Sequence, residues 1–415
     1  MTMLRDIASY MKSGESPDHN LGLEIEHFIV NEKGNQIGFD EISGLIRDIG
    51  NQIGAEIHYM DGYPVGYYTG EYSTSLEPSC QFEISINPYS DIETIGGIYR
   101  KFRALWEPVF LERGYHFETS GNLANVEFGR ITPDEIPLSP KSRYKYMNRY
   151  FESSGKYGKY MMRASASTQV SVDYSSEEDM VQKLRVLQKI SPILMIMMEN
   201  KNNEDFTLSD TSKKHLLRIQ EWDNLDPERT GFVPGSLDED FGYEKMAGVI
   251  YRTPLILLAD NNQTYDVGHL SAEELINTGV IYENEIGEER KKKLIEHFMS
   301  MGFFHFRIKK YIEIRVADSV PIEKALGYAT LLRGLLYNGN TLKRLDNRLK
   351  DIRSIKEIEA IVEKVERDGL NAVIYEGKTA GEWVEELIAL AGDNLDSKER
   401  AYLENVRTVW GNGEQ

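Results

Sequence analysis

The chain has 415 residues, 40% of them hydrophobic and 28% charged, which is enough for one large globular domain or two ordinary ones. Its formal charge of −19 argues against a nucleic-acid partner, because a phosphate backbone rewards Lys and Arg; a nucleotide held by a few local cations is still compatible. The single cysteine, Cys80, excludes an internal disulfide framework and a cysteine-based zinc site.

Residues 1–13 read as a short helix, with no apolar stretch of signal-peptide type. Nowhere is an apolar run long enough to span a bilayer, so the expected location is the cytoplasm. Residues 21–30 alternate as a strand and close on the turn-like Asn31-Glu32-Lys33-Gly34-Asn35. Residues 40–54 place Ile42, Leu45, Ile46, Ile49 and Ile53 on one side of a helix. Residues 55–86 predict strands separated by Gly- and Tyr-rich turns, with Tyr67 and Tyr68 in an exposed turn. Residues 91–113 predict a second amphipathic helix and 166–173 another alternating strand. The segment 176–200 starts with Ser176-Glu177-Glu178-Asp179, the cap and acids that suit a helix N-terminus. From about 322 the pattern is helical through Val365, and again from Ala380 to Val406. Strands, helix, more strands and more helices make an α+β fold rather than a βαβ alternation.

Three distant segments share one design. They are Leu21–Val30 with Glu24 and Glu26, Leu76–Ser85 with Glu77, Gln81 and Glu83, and Tyr311–Val316 with Glu313 and Arg315. A period of two puts Glu24 with Glu26, Gln81 with Glu83, and Glu313 with Arg315 on one strand face, with Ile, Phe and Val behind. One such Glu on a strand is ordinarily a solvated side chain. A sheet surface carrying this many carboxylates repels itself unless cations sit on it, and hard, oxygen-loving ions such as Mg²⁺ are the natural partners.

Other motifs mislead. Gly377-Lys378-Thr379 looks like the end of a Walker A loop, but the glycine needed five residues earlier is Ala372. No GxGxxG follows a strand, and the eight histidines show no paired metal spacing. His27 falls on the apolar phase of its strand, which predicts a structural role. Lys309 and Lys310 read as solvated surface lysines.

Taken with Met162–Asp173, Trp222–Gly231, Phe241–Glu244 and Ala317–Pro321, these segments resemble the glutamate–cysteine ligases of plant and proteobacterial type. That family belongs to the glutamine-synthetase-like carboxylate–amine ligases. Order and spacing agree from residue 20 to about 340, and the C-terminal helices match loosely. The resemblance implies a largely antiparallel, curved sheet forming an active-site funnel, covered by helices. It places a catalytic domain at 1–340 and a helical segment, 341–415, packed on the same domain. It implies ATP as co-substrate, Mg²⁺ as cofactor, small-molecule partners only, and a γ-glutamyl phosphate attacked by an amine. Glu24, Glu26, Glu77, Glu83, Gln169 and Glu313 are then metal ligands, and Arg315 serves phosphoryl transfer. Arg163 and Arg229 hold substrate carboxylates, and Trp222 walls the glutamate site. The chain departs from the family where Ser79-Cys80 stands for a usual Gly pair. It departs again at Ala164–Thr168 and Lys201–Asp205, and it lacks the cysteines of the plant regulatory disulfides. Alternatives are a ligase with another amine acceptor, a guanidino-type phosphotransferase, or a non-catalytic metal- or nucleotide-binding protein.

Overall fold

The computed structural model describes residues 2–261, 263–283 and 286–407. Its centre is a nine-stranded sheet. The strands are β1 (Leu21–Asn31), β2 (Glu56–Met60), β3 (Tyr63–Tyr68), β4 (Tyr72–Leu76), β5 (Phe82–Tyr89), β6 (Tyr115–Glu118), β7 (Ser167–Val172), β8 (Phe306–Ile308) and β9 (Ile312–Asp318). They run in the order β8-β9-β7-β1-β5-β4-β3-β2, with β6 also on β1. Every pairing is antiparallel. The α+β, antiparallel-sheet architecture expected from the sequence is therefore present.

Alternation sorts the two faces. On β1, Leu23, Ile25 and His27 are fully buried while Glu24 and Glu26 are half-buried. On β5, Phe82, Ile84 and Ile86 are buried while Glu83 and Ser85 are half-buried. Helices α1 (Thr2–Lys12) and α2 (Phe39–Ile53) come earlier in the chain, and behind the apolar face lies helix α3 (Ile92–Leu111), whose Phe102, Trp106 and Phe110 form an aromatic cluster with Phe82. Its start is capped by Asp91, which accepts from the Thr94 amide. Tyr67 belongs to the same core. The exposed turn expected there is the strand β3, and the Tyr67 hydroxyl accepts a 2.7 Å hydrogen bond from Trp106 Nε1. His27 is structural, as its strand phase predicts. Its ring bonds the Phe82 carbonyl and the Tyr99 hydroxyl at 3.0 and 2.8 Å, and burial pushes its pKa down to about 3.

The other helices that matter to the site are α4 (Ser142–Ser154), α5 (Gly158–Ala164), α6 (Glu177–Met197) and α7 (Leu217–Asp223). Helix α6 is buried for most of its length and starts, as the sequence predicts, on a Ser176 cap. The C-terminal helices α8 (Ile322–Leu336), α9 (Gly339–Arg348), α10 (Ile355–Asp368) and α11 (Ala380–Gly392) stack on it and on each other. The Walker-like Gly377-Lys378-Thr379 is the N-cap of α11: Thr379 accepts from the Glu382 amide, and Lys378 pairs with Glu386 at 2.8 Å. Residues 349–354 interrupt the first expected helical stretch and 393–396 the second, and residues 408–415 lie outside the described ones.

Candidate active site

Strand register brings the three segments together. Glu26 lies directly opposite Glu83, and Glu24 lies opposite Ser85 on one side and Gln169 on the other. Glu313 pairs with Ser171 of β7 and with Arg307 of β8. Between Ile314 and Ala317 the register slips, an irregularity of the kind that re-aims a side chain, and Arg315 sits there. The polar face so formed lines a cavity of about 470 Å³. Five carboxylates, Glu24, Glu26, Glu77, Glu83 and Glu313, share its wall with five cations, Lys141, Arg143, Arg307, Lys309 and Arg315.

The charges are not mixed evenly. Around Glu313 the cations dominate: Arg307 grips it through two nitrogens at 2.5 and 3.0 Å, Lys309 adds 3.0 Å and Arg315 3.4 Å. Burial alone would raise the Glu313 pKa, but these cations outweigh it and hold it well below the ordinary carboxylate range. Among the described residues, the carboxylates on β1 and β5 have no cation in bonding contact, and Glu83 accepts from the Ser75 and Ser85 hydroxyls at 3.0 and 3.1 Å. Glu26 accepts from the Ser167 amide at 2.7 Å, and burial with the nearby Glu77 charge pushes it up to about 7. Glu24 is raised by burial and then by Glu313. Glu83 is raised well above its ordinary value by burial and then by Glu24, Glu77 and Glu26.

Such a set of partly buried, mutually repelling oxygens suits a hard cation, which would relieve the repulsion. Among the described residues, no three His, Cys, Asp or Glu side chains are grouped so as to hold a metal ion. Among the described residues, Glu24 and the Glu83 Oε2 accept no hydrogen bond, while the two Glu26 oxygens accept from the Ser167 amide at 2.7 Å and the Gln169 side-chain amide at 3.3 Å. Glu77 accepts from Ser75 at 3.2 Å and from Tyr144 at 3.4 Å. Gln169 and Glu313 reach the cavity, but their oxygens are engaged: Gln169 Oε1 accepts from Arg315 at 2.6 Å. To ligate a cation, either would first have to exchange those partners.

Two of the expected substrate contacts are placed elsewhere. Arg229 is fully buried outside the cavity wall, bonded to Asp226 at 2.5 Å, the Pro254 carbonyl at 2.5 Å and the Tyr150 hydroxyl at 3.2 Å. Arg163, on α5, donates to the Ile136 carbonyl at 2.8 Å and to Asn148 at 3.1 Å, tying α4 to α5. Neither guanidinium lines the cavity wall; Arg229 is held by protein acceptors through all three nitrogens, whereas the buried Arg163 Nε has no partner among the described residues. Trp222 does line the cavity, 5.8 Å beneath the Arg315 guanidinium and against Phe303.

Several site residues escape a strand-by-strand reading of the sequence. Lys309 is not a solvated lysine but a half-buried partner of Glu313, whereas Lys310 rests on the Tyr10 ring. Arg307 and Lys309 flank Ile308, and the alternation Phe306-Arg307-Ile308-Lys309 was the available signal. Lys141, Arg143 and Tyr144 come from the start of α4, where no periodicity marks them. Arg218 of α7 lies behind the wall and donates to the Arg315 carbonyl at 2.9 Å, fixing the backbone that carries Arg315.

A family model described as glutamate-cysteine ligase family 2 (GCS2) matches residues 20–415. The chain belongs to that family. The match runs through the C-terminal helices, beyond the part the motifs cover. Among curated relatives of this family-2 ligase, glutamate–cysteine ligase A, chloroplastic, of Oryza sativa subsp. japonica is 26% identical over 415 residues, spanning 98% of this chain and 82% of the relative. The chloroplastic glutamate–cysteine ligase of Arabidopsis thaliana is 26% identical over 419 residues, spanning 97% and 76%. Among solved structures, the glutamate–cysteine ligase of Francisella tularensis in complex with AMP superposes with a TM-score of 0.51 at 14% identity, covering 95% of this chain and 82% of that one. Among the described residues no helix is long and apolar enough to cross a membrane.

Proposed function

We propose that this family-2 ligase joins the γ-carboxylate of L-glutamate to the amine of L-cysteine. ATP drives the reaction through a γ-glutamyl phosphate, giving γ-glutamylcysteine, ADP and phosphate, the first step of a glutathione-type thiol synthesis in the cytoplasm. The observation that carries this reading is the divided cavity wall, with open carboxylates on β1 and β5 and a guanidinium–ammonium group on β8 and β9. A γ-carboxylate does not condense with an amine until an oxygen is made a leaving group, and phosphorylation does that. In phosphoryl transfer the enzyme supplies positioning and charge.

Glu24, Glu26 and Glu83 would hold Mg²⁺, with Glu77 beside them; bound there, the ion would neutralise phosphate oxygens. Arg315, planar and fixed from behind by Arg218, faces the cavity as a fork for the transferred phosphoryl group. Arg307 and Lys309 hold the Glu313 carboxylate against Arg315 and keep that end of the cavity positive. Trp222 supplies an apolar wall that keeps water from the activated carboxyl.

A ligase with a different amine acceptor is the second reading, favoured by the turn at Ser79-Cys80. Cys80 adopts φ 68°, a left-handed conformation suited to glycine, beside Glu77 in the cavity wall. The two readings separate in one assay. With ATP, Mg²⁺ and glutamate, phosphate release is measured against a panel of small amines, and products are identified by mass spectrometry. Cysteine is expected to support turnover and yield γ-glutamylcysteine. Turnover with another amine while cysteine stays silent would move the assignment to that amine.

A further inference from the structure

Between the end of α6, the segment leading into α7 and the C-terminal helices α10 and α11 lies another chamber, of about 330 Å³. It shares no lining residue with the active-site cavity, and its volume falls in the range of small-molecule pockets. Ile196, Met197, Leu370, Val384 and Val406 give it an apolar wall. Four acids and four cations complete the lining, and they are unequally matched. Glu199 is taken by His215 Nδ1 at 2.9 Å and the Leu216 amide at 2.5 Å, and Glu385 by Arg407 at 3.0 Å. Glu204 and Asp368 are exposed to water. Lys201 donates to the Glu204 and Lys214 carbonyls at 3.0 and 2.7 Å, and among the described residues it meets no carboxylate. Lys324, on α8, is the extreme case. It is 1% exposed, and its one acceptor among the described residues is the Glu199 carbonyl at 3.5 Å. An ammonium has three donors, so a buried one with a single long bond is under-satisfied. Burial pushes its pKa down to about 8 against the charges of Asp318 and Glu199, so it still holds its proton near neutral pH.

We propose that this chamber is a second ligand site, which takes a small monocarboxylate with an apolar body. The carboxylate meets the unused donors of Lys324, with Lys201 adding positive charge, and the aliphatic or aromatic part lies against Ile196, Val384 and Val406. A charge-assisted bond away from water is strong, and one carboxylate is what one buried ammonium can neutralise. A neutral ligand would leave the ammonium unpaired. A phosphate dianion would set a second charge against the apolar wall, where it costs more than it returns. The site stands apart from the catalytic cavity and does not depend on the ligase reading.

The test is calorimetric titration of 3-phenylpropanoate, and of its neutral counterpart 3-phenylpropanamide, into the parent, Lys324→Met and Val384→Phe. The parent should bind the acid with a Kd of about 1 mM or tighter, and about tenfold or more above the amide. Lys324→Met removes the ammonium and should abolish that preference. Val384→Phe fills the chamber without touching a charge and should weaken the acid about tenfold or more. It decides the question by itself if Lys324→Met does not fold. The active-site cavity also holds cations, so the place of binding has to be read from these variants. An acid that binds Val384→Phe as well as it binds the parent sits elsewhere and overturns the proposal. A parent that binds neither compound, or binds both alike, overturns it too. Binding is read without turnover, so failure of this site leaves the ligase reading untouched, and a silent ligase assay leaves this site untouched.

Discussion

Two carboxylates on the same sheet face are held in opposite ways. Glu83 has hydroxyl partners and acidic neighbours, whereas Glu313 has three cations. Glu83→Gln should therefore stabilise the metal-free protein by about 1–2 kcal/mol, because it removes a buried charge that its neighbours repel. The same change should cut turnover about a hundredfold or more if Glu83 holds the cation. Glu313→Gln should instead destabilise by about 3 kcal/mol, since it leaves Arg307, Lys309 and Arg315 buried without their anion. Urea denaturation of both variants without metal checks the opposite signs. Away from the cavity, Glu127 accepts from the Asn202 and Asn203 amides at 2.7 and 2.8 Å, yet burial pushes its pKa up to about 8. Between its ordinary 4.5 and about 8, the folded state keeps a proton that the unfolded state has lost. Stability should thus fall as pH rises through that window. Glu127→Gln should flatten the slope relative to the parent, measured as melting temperature from pH 4.5 to 8.5.

At the level of elements, alternation was the legible signal. Period two at 21–30 and 311–316 identified β1 and β9 and the face carrying Glu24, Glu26, Glu313 and Arg315. The helices at 40–54 and 91–113 were equally readable from their apolar stripes, and that at 176–200 from its Ser176 cap and first-turn acids. The short strand β8, three residues long, offered too little pattern, so Arg307 went unseen and Lys309 was read as solvated. Arg163 and Arg229 were placed by resemblance, which fixes neighbourhood in the chain but not which way a guanidinium turns. Tyr67 failed for another reason: the adjacent Gly66 marks a close approach to β4, not an exposed turn. A Cβ at Gly66 would lie 1.9 Å from the Thr74 carbonyl oxygen. The aromatic layer behind β5 supports Glu83 from below. Trp106→Ala should cost about 3–5 kcal/mol and lower hydrogen-exchange protection across β5. Little change in either would mean that α3 does not brace the strand.

For the whole molecule, contacts tie the described C-terminal helices to α6 and to one another. Tyr375 donates to the Lys189 carbonyl of α6, Asn394 to Thr341 at 2.6 Å, and Arg348 bridges Glu376 and Glu386. We propose that residues 341–415 do not form a separable unit. A chain ending at residue 340 should fail to give a cooperative thermal transition, because it exposes the apolar faces of α6 and α8; a stably folded truncation would contradict this. If glutamate's γ-carboxylate is phosphorylated in the cavity where β1, β5 and β9 bring their charges together, one of its oxygens leaves with the phosphate. With glutamate carrying oxygen-18 in that carboxylate, the phosphate released during amide formation should hold the label, one atom per product. Unlabelled phosphate formed alongside the product would contradict it.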